Sequence, residues 1–370
     1  MRYIWSDPAV LLLFHLLMFW SGVYIWGRTL GTISAFWAYL CLGLWFIPPV
    51  MGMTAVLIKD TAMTCSWFLA CAMMAQYYQK GRSPGVISAA LIFILLFYGT
   101  AVRHNAITAL PPLCLWFSLC LHGRQRGWRS TVVTAFFLFL GLFCAKIAFS
   151  AAVHTTPTRY DETLYLFDLR STSDQLNTSL MPDYYFKYPV VHASPSGVDF
   201  LDIVQSQNPQ ERSQLLHAYF SMISDHPIAY FSHRWEVFRY LVRIGIPDTS
   251  KPYYWYEADN GNNATMQKLG QNWIQSYLHS TANSAWYIGA IWMVIAIGAL
   301  GISILYGANE PLLFQAGLLY LSAILLMIAL FFISPVAVFR YIYWLVVATY
   351  CGALMSGSYA HLHLRRKSDK

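Results

Sequence analysis

Charge is scarce in this chain of 370 residues: only 11% of it is Asp, Glu, Lys or Arg. Outside residues 151–284 the carboxylates reduce to Asp7, Asp60, Glu310 and Asp369. A soluble globular domain of this length carries about 25% charged residues, so that class is excluded. Cysteine is sparse too. Cys41, Cys65, Cys71, Cys114, Cys120, Cys144 and Cys351 all lie in or beside apolar runs, and the large polar segment has none. A disulfide framework and a metal-ligand spacing are therefore not expected, and the thiols read as small buried hydrophobes. A Gly-rich nucleotide loop, a Gly-x-Ser-x-Gly elbow and a His-Glu-x-x-His pair are all missing, which argues against cytoplasmic nucleotide chemistry. No internal repeat stands out.

What fills the chain is hydrocarbon. Apolar residues make up 57% and aromatic residues 17% of it, and the mean hydropathy is +0.44. This is the composition of a multi-pass membrane protein, with Trp and Tyr suited to bilayer interfaces. The formal net charge of +7 comes from short basic loops and a basic tail, a positive-inside pattern that needs no nucleic acid partner.

About 20 apolar residues cross a hydrocarbon core of about 30 Å. On that rule the runs are Pro8–Trp26, Ile33–Ile47, Thr61–Tyr78, Val86–Ala101, Ile107–Leu121, Thr131–Ser150, Ala285–Tyr306, Leu312–Ile333 and Tyr341–Tyr359. The expectation is an all-α polytopic membrane protein of about nine transmembrane helices. The second run meets Pro48-Pro49, which break a helix, so Val50–Ile58 is expected as an interfacial or re-entrant piece. Residues 1–150 form an N-terminal bundle, 151–284 a large, mainly helical extracytoplasmic domain between the sixth and seventh spans, and 285–370 a C-terminal bundle. Within the polar domain, Gln210–Ser224 and Ile228–Ile244 are amphipathic, and Tyr253–Tyr256 suits the head-group level.

Placing Lys80–Arg82, His122–Arg129 and Arg365–Lys367 in the cytoplasm puts the polar domain outside. That alternation also starts the chain outside, directly before a span, and leads to the expectation of an upstream span and loop in the natural product. An N-out protein is the alternative.

Two charged clusters interrupt the hydrocarbon. Lys59-Asp60 is the only charged pair between Arg28 and Lys80, and Arg103-His104-Asn105 follows the fourth run. Ionisable groups at membrane depth are costly and usually functional. Adjacent helical residues point about 100° apart, so Lys59 and Asp60 each call for an external partner. Arg103 carries a planar fork suited to phosphate, with snorkelling at a helix end as the bland alternative. Asn105 suits a helix cap, as does Asp7 before Pro8. Lys146 and Arg340 belong to the same outer ring. His226, His233 and Arg234 in the polar domain are by default exposed or locally bonded.

Ile58-Lys59-Asp60, Arg103-His104-Asn105, Leu166-Phe167-Asp168-Leu169 with Leu180-Met181-Pro182, the stretch from His226 to Arg234, and Phe339-Arg340-Tyr341 together resemble a known group. It is the GT-C superfamily of membrane glycosyltransferases, of the dolichyl-phosphate-mannose:protein mannosyltransferase type in its bacterial form. The resemblance implies a bacterial inner-membrane enzyme. Such an enzyme moves a sugar from a polyprenyl-phosphate-linked donor to a glycan, lipid or protein acceptor on the outer face, with inversion at the anomeric carbon. It implies Lys59, Arg103 and Arg340 at the lipid phosphate, His104, Asn105, His233 and Arg234 positioning donor or acceptor, and a carboxylate base. In the group that base is an Asp in the first outer loop. Asp7 is the only carboxylate left in that region, and a chain lacking the loop would be inactive. Asp60 is the other candidate; it could instead orient Lys59 or a divalent metal. A transporter or flippase for lipid-linked saccharides, and a non-catalytic envelope scaffold, remain the competing classes. Against transport, the polar groups gather at one face and no inverted halves are seen.

Overall fold

The computed structural model describes residues 8–123, 127–153, 160–182, 185, 208–246, 271–307, 310–334 and 337–368. Among the described residues the secondary structure is helical, without a strand. The chain divides into two compact units, the first comprising Met1–Val153, Lys251–Met327 and Arg340–Lys370, the second His154–Ser250 and Ile328–Phe339. This division differs from the 151–284 boundary, because the helix that precedes residue 284 groups with the first unit. Asp7 and Tyr253–Tyr256 lie outside the described residues.

In chain order the helices of the first unit are α1 (Pro8–Gly31), α2 (Ala35–Gly43), α3 (Pro48–Thr54), α4 (Lys59–Gln79), α5 (Val86–Val102), α6 (Ala106–His122) and α7 (Trp128–Ala152). The second unit holds α8 (Tyr160–Leu176), α9 (Pro209–Asp225) and α10 (Pro227–Leu241). Then follow α11 (Gln271–Thr281), α12 (Gly289–Tyr306), α13 (Pro311–Ile333), whose last turns belong to the second unit, and α14 (Tyr343–Ser368).

Four of these, α1, α7, α12 and α13, are long and apolar enough to cross a membrane, and α2 with α3 would make a fifth bent span. The bend is 65°, and its cause is local: Pro48 and Pro49 occupy the first turn of α3, where their missing N–H groups cost nothing, so the proline pair starts a new helix. Helices α5 and α6 have 17 residues each, or about 25 Å. Helix α4 is less apolar because most of its surface meets protein. Thr61, Thr64, Cys65 and Ser66 are buried alongside Trp67 and Phe68. By contrast α7 exposes Val132, Val133, Phe136, Phe137 and Phe143, a surface suited to lipid.

Trp67 pins the region that carries the site. Its indole N–H donates to the Leu96 carbonyl of α5 at 3.2 Å, and its ring meets Trp344 of α14 edge-on with centroids 5.3 Å apart. Gly99 makes this possible, since a Cβ there would come within 2.5 Å of the Trp67 ring. Trp344 in turn donates to Ser322 Oγ of α13 at 3.0 Å, and Ser322 donates to the Ala109 carbonyl of α6 at 2.7 Å. Helices α4, α5, α6, α13 and α14 are thus tied by one buried tryptophan pair and one hydroxyl. Six cysteines are buried and Cys144 is exposed, all of them as free thiols.

Candidate functional site

Asp60 sits in the first turn of α4, where a carboxylate favours the positive end of the helix dipole. Thr61 beside it donates to the Met53 carbonyl of α3 at 2.7 Å, fixing the entry of the helix. Arg103 ends α5 on an extended backbone, which directs the chain out of the helix and its side chain toward α4. Its Nε lies 2.9 Å from Asp60 Oδ1. From a stretch nearly 240 residues later, Arg340 brings its Nε to 3.9 Å from Asp60 Oδ2, out of the 3-10 turn Phe339–Ile342 that leads into α14. Asp60 has its external partners, and both are guanidinium groups.

Tyr341 completes this arrangement. The Arg103 guanidinium carbon lies 4.3 Å from the centre of its ring and that of Arg340 5.5 Å, distances at which cation–π attraction operates. Lys146 of α7 points into the same loop, donating to the carbonyls of Arg103 at 3.4 Å and His104 at 3.5 Å. Lys59 stands exposed at the start of α4. Partial burial, then the charges of Lys146, Lys59 and Arg103, push the His104 imidazole below its ordinary range. Arg103, Arg340 and Lys59 therefore place their charges around the Asp60 carboxylate, with Lys146 bonded to the loop beside it. Asn105 occupies the cap position of α6, yet its side chain makes no capping bond. Its carbonyl accepts instead from the Thr108 N–H and hydroxyl.

The electrostatics are lopsided in a particular way. The Asp60 side chain is 3% exposed, Arg103 14% and Arg340 34%. Arg103 Nη2, Arg340 Nε and Asp60 Oδ1 are all buried with no hydrogen-bond partner among the described residues. The carboxylate is therefore sealed in and held to its arginines by charge, while the arginines keep exposed surface and spare donors. A guanidinium pair of this kind can grip an oxyanion. A divalent metal does not fit Asp60, whose oxygens face cations. No convergent group of three His, Cys, Asp or Glu side chains occurs among the described residues.

His233 and Arg234 do not follow the default reading of exposed or locally bonded side chains, since both are buried and bonded to a residue 65 or more positions away. They belong to the second unit, where both are buried around Asp168 of α8, itself without exposed surface. His233 Nε2 lies 3.1 Å from Asp168 Oδ1, the Tyr219 hydroxyl donates to Oδ2 at 3.2 Å, and Arg234 donates to the same oxygen. The other arm of Arg234 donates to the Ser334 carbonyl at 2.8 Å, at the C-terminal end of α13, where a cation suits the helix dipole. Burial, then the Asp168 charge, push the Tyr219 hydroxyl well above its ordinary range, so it stays a donor. Around this polar centre pack Leu166, Leu169, Met181, Leu215, Met222 and Tyr230. A sequence signal for it exists: Asp168 interrupts an apolar run, and His233 and Arg234 share the helical face of Tyr230, Val237 and Leu241.

No family model matches the chain, and neither a curated protein nor a solved structure is significantly similar to it.

Proposed function

We propose that the chain is a membrane glycosyltransferase whose Asp60 cluster holds the phosphate of a polyprenyl-phosphate-linked sugar while the sugar passes to an acceptor on the outer face. The observation that carries this reading is the grouping of Arg103, Arg340 and Lys59 about a single buried carboxylate, with Lys146 on the adjoining loop and both arginines partly exposed. The resemblance of the same stretches to GT-C enzymes supplies the reaction class. In this reading all nine apolar helices cross the bacterial inner membrane, and the polar domain lies outside and contributes to acceptor choice.

In the reaction the acceptor oxygen bonds to the anomeric carbon as the bond from that carbon to the phosphate oxygen breaks. The polyprenyl phosphate leaves with the electron pair, and its growing negative charge is what Arg103 and Arg340 stabilise. The acceptor proton passes to a base. Asp60 is better built to aim the two arginines than to take that proton, because it is buried and faced by two guanidinium groups. Asp7 keeps the role that the resemblance gives it. A lipid-phosphate carrier without chemistry is the second reading, and the inaccessibility of Asp60 favours it.

The test is the glycolipid and polysaccharide inventory, by mass, of cells with and without the gene, and with Arg103→Ala in its place. A product lighter by one sugar in both the deletion and the variant supports transfer. Unchanged masses with altered sidedness of a lipid-linked sugar support the carrier, and unchanged masses and sidedness refute both.

A further inference from the structure

Helix α10 turns one face inward: Tyr230, His233, Arg234, Val237, Phe238 and Leu241 are buried. Its other face leaves Ile228 85%, Phe231 47% and Trp235 50% exposed, at positions i, i+3 and i+7 of one stripe. Polar residues would be expected there on a water-facing helix. Within the same unit this stripe continues into the end of α13, one of the helices apolar and long enough to cross a membrane. Trp235 meets Phe238 with ring centroids 6.3 Å apart, Phe238 meets Phe331 at 5.5 Å, and Phe331 meets Phe332 at 5.0 Å. Phe332, Ile328 and Ile333 are exposed in their turn. An unbroken aromatic path therefore joins the bare face of α10 to the lipid-suited surface of α13.

We propose that α10 is an interfacial helix, seating Ile228, Phe231 and Trp235 among the head groups and upper acyl chains of the bilayer that α13 enters. An amphipathic helix with Trp and Phe on its apolar face lies in the interface plane in this way. The Arg234 bond to Ser334 holds α10 at the end of α13, which fixes its depth. A second copy is a poorer occupant. Two half-exposed aromatic rings and an isoleucine offer roughly 350 Å², whereas a stable interface needs about 800 Å² on each side. The inference does not rest on sugar transfer.

The experiment uses the full chain with Cys144→Ser, which removes the exposed thiol and leaves the buried ones. Single cysteines replace Ile228, Phe231, Trp235 and, as a polar control on α9, Gln214; each carries a bimane label. The chain is reconstituted in phosphatidylethanolamine and phosphatidylglycerol vesicles, some containing lipid brominated high on the acyl chain. Labels at 228, 231 and 235 are expected to emit blue-shifted light, to be quenched by the brominated lipid and to be spared by aqueous iodide, with the reverse at 214. Because each position is exposed and labelled separately, a variant that misfolds leaves the other two to report. Iodide quenching at all four positions would overturn the proposal. So would shielding of the stripe from both quenchers, or label–label pairing between two copies.

Discussion

Among the described residues two buried aspartates, Asp60 and Asp168, face arginines, and they are built differently. Asp168 is enclosed on every side: a histidine, a tyrosine and Arg234 spend their bonds on it, and all four side chains are buried. Asp60 is enclosed itself, yet its arginines are 14% and 34% exposed. A closed network holds a fold together. A network open on its cationic side has capacity left for a ligand, and that difference is why only the Asp60 cluster enters the proposed function. Both networks leave buried polar atoms unbonded, Arg234 Nε in the first and Asp60 Oδ1, Arg103 Nη2 and Arg340 Nε in the second, so exposure of the arginines is what separates them.

The comparison breaks first at Asp168. Asp168→Ala strands Arg234 in the interior and should cost about 3–5 kcal/mol, read as loss of hydrogen-exchange protection in α8, α9 and α10. Arg103→Ala removes a charge-assisted contact worth about 1.5–3 kcal/mol, so polyprenyl phosphate binding should weaken on the order of tenfold to a hundredfold while the chain still inserts. Asp60→Ala should destabilise by less than Asp168→Ala, about 1–3 kcal/mol, because Arg340 can turn to water; denaturant titration of both variants checks the order. Equal losses would erase the distinction between the two sites. Tyr341→Leu removes the ring beside both guanidiniums and should loosen binding by about 0.5–2 kcal/mol, with charge and insertion unchanged.

The smallest expected effect concerns pH. His104 is held below its ordinary 6.5 by partial burial and by Lys146, Lys59 and Arg103. The unfolded chain then takes up its proton first, so this contribution to stability is full above pH 6.5 and is lost as pH falls through the folded-state value. The group is only partly buried, so the slope is shallow. His104→Gln should flatten the slope in unfolding curves taken above and below that pH.

The helices were legible because apolar runs are local. Pro48-Pro49 marked the break, and Gln210–Ser224 and Ile228–Ile244 overlap α9 and α10. That Asp60 needed outside partners was legible as well, from the angle between neighbours on a helix. Which partners was not. Arg340 reaches Asp60 from a stretch near the other end of the chain, and Tyr341 enters only by lying beside both arginines. His233 and Arg234 show the opposite failure. Charge alone reads as exposure, whereas their place on the face of Tyr230 and Val237 means burial, and that requires a partner such as Asp168, 65 residues away from His233. An apolar helix long enough to cross a membrane was legible where its surface is exposed, as in α7, and least where it meets protein, as in α4, since a helix wrapped by its neighbours can carry threonine and serine.

The most direct measurement is the affinity of the purified full chain, in lipid nanodiscs, for a polyprenyl phosphate, compared between the native protein and Arg103→Ala. The account predicts saturable binding to the native chain and a loss of at least about tenfold in the variant. Equal affinity for both, or none for the native chain, would contradict it.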